Sequence, residues 1–272
     1  MYTRRNVTNP VGISPGSPKP KNANVTIVFI DDILSWPNRN ASGILYDGSF
    51  VMKPGSPMIK VYMTAKKQKP GYTSDGDVDE LVINQMFEAS HPGNSLEIKE
   101  FIQNTIGKDL LIMSGDCQGT EFEVFGTPCS PMRMKPTGVQ DDTRTGHDMM
   151  FEQSLGTGSL PGTYVGAIVE AEPFSASAAL ALLKANGVQY LLPSDAAGAS
   201  ITVASIDLDH GTTVSVIGSG GVDPSTLANA AGVAATVILK DGTNWVATKD
   251  AVIDLQVFKS GATTYLIEKR RS

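Results

Sequence analysis

The sequence predicts a mainly β protein with one α-helix packed on a sheet and a smaller all-β domain at the C-terminal end. Three observations carry this. Gly and Pro number 27 and 16 in 272 residues, and Val, Ile and Thr are common, which favours many short strands joined by tight turns. The stretch Asn94 to Lys135 places a well-marked helix directly before a ladder of short strands. After Glu172-Pro173 the composition shifts to Ala, Val, Gly and Thr, and apolar β runs recur between turn signals. The expected division is an extended arm over 1–24, a β domain over 25–173 and a C-terminal domain over 174–272.

Taken in order, the arm carries Pro10, Pro15, Pro18 and Pro20, which deny it both helix and central strand. It reads as a disordered tail, or as an arm that orders against a neighbouring subunit through Val7, Val11 and Ile13. Val25 to Ile30 is apolar on both faces and β-branched, as in a buried strand. Asp31-Asp32 read as its solvated end. Asp47-Gly48 is a turn signal and predicts a hairpin between Ile44-Leu45 and Phe50-Val51-Met52. From Pro57 to Ala65, Ile59, Val61 and Met63 alternate with Lys60, Tyr62 and Thr64, as in a half-exposed strand. Lys66 to Asp77 reads as a polar loop, basic at Lys66, Lys67 and Lys69, acidic at Asp75 and Asp77, with Tyr72 between. A solvated hairpin tip and a docking loop both fit it. Val78 to Ala89 is then a second long strand, with Leu81, Ile83 and Phe87 facing one way and Glu80, Val82, Asn84 and Met86 the other.

In the helix, Asn94 and Glu97 have the spacing of a capping box. Ile98, Phe101, Ile102 and Thr105 form one apolar stripe, and Gly107 supplies the left-handed stop. Leu110 to Met113 is too short for a helix and reads as a buried strand. Glu121 to Gly126 follows as its partner. Thr127 to His147 predicts turns with one brief strand, Met132 to Lys135. Met149 to Gln153 and Thr163 to Ala171 are further strands. Beyond them, Ser177 to Asn186 predicts a short helix, with a strand as the second reading. Strands are expected at Val188–Leu192, Ile201–Leu208, Thr213–Ile217, Thr236–Lys240, Trp245–Thr248, Val252–Phe258 and Thr263–Glu268. Asp241-Gly242 marks a tight turn, and Asp223-Pro224-Ser225 opens a helical turn through Ala230.

Composition narrows the function classes. Apolar residues make up 41% and charged residues 18%, so a core can form and the composition argues against global disorder. The net charge of −6 does not suit a chain that grips phosphate backbones, because that affinity comes from Lys and Arg releasing counterions. Cys117 and Cys129 are the only cysteines; a pairing is conceivable, but so few thiols suit a reducing compartment better. Arg4 and Arg5 precede no apolar leader segment, and no apolar run has membrane-span length. A soluble compartment, or a larger particle, is therefore expected. Gly218-Ser219-Gly220-Gly221 lacks the Lys and spacing of a phosphate loop. His91, His147 and His210 stand singly, without a second ligand at helical spacing. No metal, no cofactor and no enzymatic activity are expected.

The order of elements over 25–171 resembles the major tail tube proteins of long-tailed bacteriophages. The likeness rests on the strands Pro57–Ala65 and Val78–Ala89, the loop Lys66–Asp77, the helix Asn94–Ile106 and the pair Asp109–Asp116 and Glu121–Pro128. Thr212 to Ser272 resembles β modules appended to virion proteins. The resemblance implies a β-barrel or sandwich flanked by the helix, in a virion protein made in the host cytoplasm. It would assemble with itself into stacked, usually hexameric rings and meet other tail proteins. DNA would pass through the channel without being specifically bound. Under this resemblance Lys66, Lys67, Lys69, Tyr72, Asp75 and Asp77 dock between rings, and Lys60, Tyr62, Glu80 and Asn84 face the channel. Other readings are a capsid-decorating or other virion protein, or a surface- or carbohydrate-binding β protein.

Overall fold

The computed structural model describes the chain apart from residues 1–3, Arg5, Ile13 and Val233. The suggested anchor Ile13 and the cation Arg5 thus lie outside the described residues. Among those described, the chain is mainly β with a single α-helix. It forms two compact units. One comprises Met1–Asp31, Asn38–Asp47 and Met58–Val165; the other comprises Asp32–Pro37, Gly48–Pro57 and Gly166–Ser272. The contiguous domain expected over 25–173 is therefore not observed. Two short N-terminal segments belong with the C-terminal residues, and the last division falls after Val165, a little before Glu172-Pro173.

In the first unit the sheet contains β1 (Asn24–Phe29), β2 (Ile59–Tyr62), β3 (Lys69–Asp75), β4 (Val82–Pro92), β5 (Leu110–Gly115), β6 (Phe122–Phe125), β7 (Met132–Gln140), β8 (Thr145–Gln153) and β9 (Gly162–Tyr164). Its order is β9-β6-β5-β7-β8-β4-β3, with β1 on β5 and β2 on β1. Every ladder is antiparallel. No ladder joins β2 back to β4, where Thr64 N–H donates a backbone bond to Ser90 O. The ladders therefore describe a sheet and not a closed barrel.

Helix α1 (Leu96–Thr105) lies between β4 and β5 in sequence. Its predicted stripe is the packed one: Ile98 is buried in the core and Phe101 and Ile102 pack against it. Thr105 Oγ donates to the Phe101 carbonyl at 2.6 Å, and Gly107 stops the helix at φ +76°. The capping box is not formed. Ser95 is the N-cap, without a side-chain cap bond. Asn94 instead donates to Gln140 Oε1 at 3.2 Å and meets His147 Nε2 at 3.2 Å, so tertiary partners take the side chain from the helix end. Facing the stripe are Val25, Ile27, Phe87, Leu110, Ile112, Phe125 and Phe151, all fully buried. The Phe87 ring lies 5.8 Å from Phe125 and 6.1 Å from Phe151, contacts worth about 0.5–1.5 kcal/mol each beyond area burial.

Three sequence expectations over the first 153 residues are corrected. Ile44-Leu45 and Phe50-Val51-Met52 do not form a hairpin. Tyr46–Asp47 pairs with Asn38–Arg39, and Val51–Met52 with Ile33–Ser35. Lys66–Asp77 is not a loop. Ala65–Lys67 is a 3-10 turn, and β3 pairs with β4 along its whole length. Its polarity reflects an exposed edge strand rather than a turn. The true tip is 76–81, where Gly76 has φ +98° and Glu80 N–H donates to Asp77 O at 3.0 Å. Val78 and Glu80 therefore sit in the turn and not in a strand. Finally, β7 and β8 form a hairpin of two nine-residue strands, far longer than the brief strand expected at Met132–Lys135.

The second unit is built on β11 (Gln189–Leu191), β13 (Thr213–Ile217), β15 (Val252–Ser260), β16 (Thr263–Arg271) and β14 (Thr236–Ile238), in that order across the sheet. A separate parallel pair joins β10 (Ala179–Leu182) to β12 (Thr202–Ile206). Leu180, Leu182, Tyr190, Val214, Leu255 and Leu266 make the core. The helix expected over 177–186 is thus a strand and a 3-10 turn, because Leu180 and Leu182 bury with a period of two. The helical turn expected after Asp223 is also absent; Thr226–Leu227 pairs with Trp245–Val246. Asp241-Gly242 is a tight turn as expected, with φ +59° and +66°.

The early segments are bound into this unit by buried polar groups. Asp254 is fully buried, accepts from Ser215 Oγ at 2.6 Å and pairs with Arg270 at 2.8 Å. Arg270 also donates to the carbonyls of Trp36 and Ser49. Burial pushes the Asp254 carboxyl up; Arg270 and Ser215 oppose it. Val51 packs with Ile217 and Val252, and Gln189 Nε2 donates to Phe50 O at 2.8 Å.

Two outcomes follow from this packing. Truncation after Pro173 uncovers Phe50, Val51 and Met52, so the shortened chain aggregates or binds a hydrophobic dye where the full chain does not. Replacing Asp254 with Ala strands the Arg270 charge and lowers stability by about 3–5 kcal/mol, measured by urea unfolding.

Candidate functional site

Four consecutive strands of the first unit, β7-β8-β4-β3, form an antiparallel sheet whose two faces differ sharply. Side chains alternate across a strand, so one face receives Phe87 and Ala89 of β4, Met149 and Phe151 of β8, and Met132 and Met134 of β7. All of these are buried. The other face carries charge. Lys69, Glu88, Met150 and Lys135 lie in one row across it. Gly71, Met86, Glu152 and Arg133 make the next row. Ser90, Asp148 and Thr137 make the row on the other side.

The charges of this face are paired with one another. Lys69 Nζ lies 2.8 Å from Glu88, Lys135 meets Glu152, and Arg133 lies 2.9 Å from Asp109. Arg144 grips Asp148 with both terminal nitrogens, and Ser90 Oγ donates to the same carboxylate at 2.6 Å. The Arg144 hydrogen bonds, and then that of Ser90, hold the Asp148 carboxyl well below the usual carboxylate range. The bond from Lys69 to Glu88 likewise raises the lysine. Together Lys67, Lys69, Lys135, Arg144, Glu88 and Asp148 line a concavity of about 590 Å³. Exposed pairs of this kind are screened by solvent and add little to stability. Their effect here is to leave the face nearly neutral.

Both outer edges of the four-stranded sheet are open. Ile83 exchanges both backbone bonds with Thr157, so it bonds away from β3. Its partner in register, Ser74, must then direct its N–H and C=O outward, together with Tyr72 and Pro70. On the far edge, Asp141 N–H bonds Arg144 O, which fixes the odd residues of β7 toward β8. Met134, Pro136, Gly138 and Gln140 therefore point outward, beyond Met132, which meets Leu110 of β5. A proline on each edge lacks the donor it would otherwise expose. No ladder occupies either of these edge stretches among the described residues.

The residues singled out from sequence are only partly brought together. Lys69 lies on the charged face and Asn84 points to the same side of β4. Lys67 lines the concavity, and Tyr72 lies on the open edge at 52% exposure. Lys66 is in the 3-10 turn; Asp75 ends β3, and Asp77 and Glu80 lie in the exposed tip. Lys60 and Tyr62 belong to β2, whose ladder is with β1. Tyr62 meets the far end of β4, where its carbonyl lies 2.8 Å from His91 Nδ1, while Asn84 stands near the other end, so the expected grouping of Lys60, Tyr62, Glu80 and Asn84 on one wall does not form. Glu88, Lys135, Arg144, Asp148 and Glu152 were not anticipated. The alternation Arg133, Lys135, Thr137 carried the signal, but Pro136 and Gly138 suggest a turn.

His91 and His147, which stand singly in the sequence, are direct cross-strand neighbours. No group of three or more His, Cys, Asp or Glu residues suited to a metal ion occurs among the described residues. Cys117 and Cys129 are exposed free thiols. Among the described residues no helix is long and apolar enough to cross a membrane.

Comparison with protein-family models, with curated proteins and with solved structures finds no match to this chain.

The Asp148 arrangement has a pH signature. The folded carboxyl titrates below its ordinary value of 3.8, so its stabilisation is complete above about pH 4 and is lost as pH falls below that. Asp148→Asn removes this contribution, and the melting temperature of the variant therefore falls less steeply than that of the wild type between about pH 4 and pH 2.

Proposed function

We propose that this chain is a structural protein that assembles with itself into stacked rings around a channel, as in a bacteriophage tail tube. The observation that carries the reading is the β7-β8-β4-β3 sheet, with one buried face, one charged face and two open edges. Its strands alternate in direction, and their number is even. The β3 edge of one copy is then antiparallel to the β7 edge of the next, so pairing can continue around a ring without breaking the alternation. Such closure covers edges that would otherwise template uncontrolled association. Pro70 and Pro136 restrict the pairing to the residues beside them, which limits mismatched registers.

In such a ring the charged face lines the channel. Duplex DNA is retained by cations free to displace its counterions. Lys69, Lys135, Arg133 and Arg144 are each already engaged by a carboxylate, and of the cations lining the concavity Lys67 alone has no ion pair among the described residues, so the wall offers passing DNA little to hold. The overall charge of −6 works in the same direction. This replaces the channel lining expected from sequence: Lys69, Glu88, Met150, Lys135 and Glu152 take the place of Lys60, Tyr62 and Glu80, while Asn84 remains.

Electron microscopy of the purified full chain tests the reading; rings or tubes are expected, and a monodisperse monomer at all concentrations counts against it. Ser74→Pro sharpens the test. It removes an outward N–H without touching the β3–β4 ladder, so the fold, followed by circular dichroism, is retained while ring formation is lost. DNA provides a separate check. No duplex binding is expected near physiological salt, and a dissociation constant tighter than ~1 µM, beyond the nonspecific range, would contradict a non-gripping channel.

A further inference from the structure

The outer face of the second unit's sheet is covered over one half. Around Val252 and Asp254 the early segments lie on it: Val51 packs with Ile217 and Val252, and Arg270 donates to the Trp36 and Ser49 carbonyls. The other half of the same face is open. Val257 and Leu266 enter the core, so alternation turns Gln256 and Phe258 of β15, and Tyr265 and Ile267 of β16, to the opposite side. Strand pairing sets them in rows. Gln256, Ile267 and Ile238 lie side by side, and next to them Phe258, Tyr265 and Thr236. Phe258 and Ile238 are 43% and 42% exposed. The Phe258 ring makes two ring contacts, 6.3 Å from Tyr265 and 5.0 Å from His210, tilted by 51° and 55°.

Polar groups beside these rings are fixed in direction. Lys259 N–H donates to His210 Nδ1 at 3.0 Å, so the neutral imidazole carries its proton on Nε2 and presents it as a donor. Gln256 Nε2 donates to Gly211 O at 3.3 Å, which leaves Oε1 as an acceptor. The two rows carry no charged side chain. Lys259 alternates to the other side of the sheet, and Asp209, beside His210, is held by Lys184 at 2.9 Å.

We infer that this open half-face binds a neutral polysaccharide, with a pyranose ring seated against Phe258 and Tyr265 and its hydroxyls bonded by His210 Nε2–H and Gln256 Oε1. A pyranose has an apolar face of C–H groups and a rim of hydroxyls. Its polarised C–H bonds are attracted to the negative face of an aromatic ring. The hydroxyls both donate and accept, and His210 and Gln256 supply one group of each kind. Charge argues against other ligands. Nucleic acid is held by free cations, and an anionic lipid surface attracts clusters of Lys and Arg. Size argues against a second copy of the chain. A stable protein interface takes about 20–30 residues a side, about 800 Å² per partner. This patch is a handful of side chains, and its most open apolar members are less than half exposed. The site lies within the second unit and draws nothing from the self-assembly reading, so either can fail without the other.

Affinity electrophoresis of the full chain tests this. Native gels are cast with hydroxyethylcellulose, dextran or galactomannan, all neutral, and with dextran sulfate as the charged control. Retardation relative to an inert protein is expected in a neutral gel. Phe258→Ala is expected to weaken it about tenfold, the loss of one aromatic contact. His210→Ala and Gln256→Ala are expected to weaken it less. Val246→Ala removes an equally exposed apolar side chain from another strand of the unit and is expected to change nothing. Circular dichroism follows folding. Should Phe258→Ala impair it, Phe258→Leu keeps the apolar bulk without the ring and is expected to lose the same retardation. Wild-type mobility unchanged in all three neutral gels would overturn the inference, as would full retardation of a folded Phe258 variant. Retardation in dextran sulfate alone would show a charge effect and overturn it too. Concentration-dependent association that Phe258→Ala abolishes, with no retardation in a neutral gel, would assign the face to a second copy instead.

Discussion

The period-two alternation of an antiparallel ladder governs the first unit. Once β4 is in register with β3 and β8, every second residue has no choice of side. Phe87 and Ala89 enter the core, and Glu88 and Ser90 must face outward. The same alternation fixes the backbone. If Ile83 bonds toward Thr157, Ser74 has to bond outward. A slip of one residue would place Glu88 and Asp148 in the core and Phe87 and Met149 in water, so the register is held by the full burial energy of the aromatic face. Each large side chain there is worth about 1.5–3 kcal/mol. The charged wall and the open edges are consequences of that register and need no separate stabilisation.

The second unit depends on a different kind of interaction. Asp254 lies near the start of β15, fully buried, and is tolerated because Arg270 and Ser215 supply its partners. A buried ion pair is weak evidence for net stability, since removing two charges from water costs several kcal/mol per ion. Its effect is on specificity. The remaining donors of Arg270 can be satisfied by the carbonyls of Trp36 and Ser49, which brings residues from the start of the chain to the end of it. Gln189 does the same for Phe50. The two units are consequently interleaved in sequence, although each has its own core.

The elements legible in the sequence were those whose signal is local. The stripe Ile98, Phe101, Ile102 and Thr105 is a matter of 3.6-residue spacing, and Gly107 of left-handed geometry. Leu110 to Met113 was recognisable because an apolar run bounded by glycines has few other uses. The C-terminal strands were found at nearly every expected position for the same reason. Errors clustered where local signals are ambiguous. Lys69–Asp75 contains Pro, Gly, Ser and Asp and resembles a loop, because an edge strand exposes both its side chains and half its backbone. Pro136 and Gly138 similarly disguise β7; Pro136 is tolerated since an outward position of an edge strand needs no donor.

Sequence alone determined the β character, the helix that follows Asn94, the placement of most apolar strands and the acidic balance, because each follows from residue type and short-range spacing. Tertiary structure decided which strands are neighbours. That choice paired β2 with β1 rather than with β4, and so separated Lys60 and Tyr62 from Asn84. It also set His91 opposite His147, assembled the Lys69, Glu88, Lys135 and Glu152 surface, and drew Asp32–Pro37 and Gly48–Pro57 into the C-terminal unit. Strand pairing joins residues tens of positions apart through backbone bonds that are chemically alike at every residue. The side chains of one segment therefore cannot announce their partner; only the combined burial of all the faces selects it.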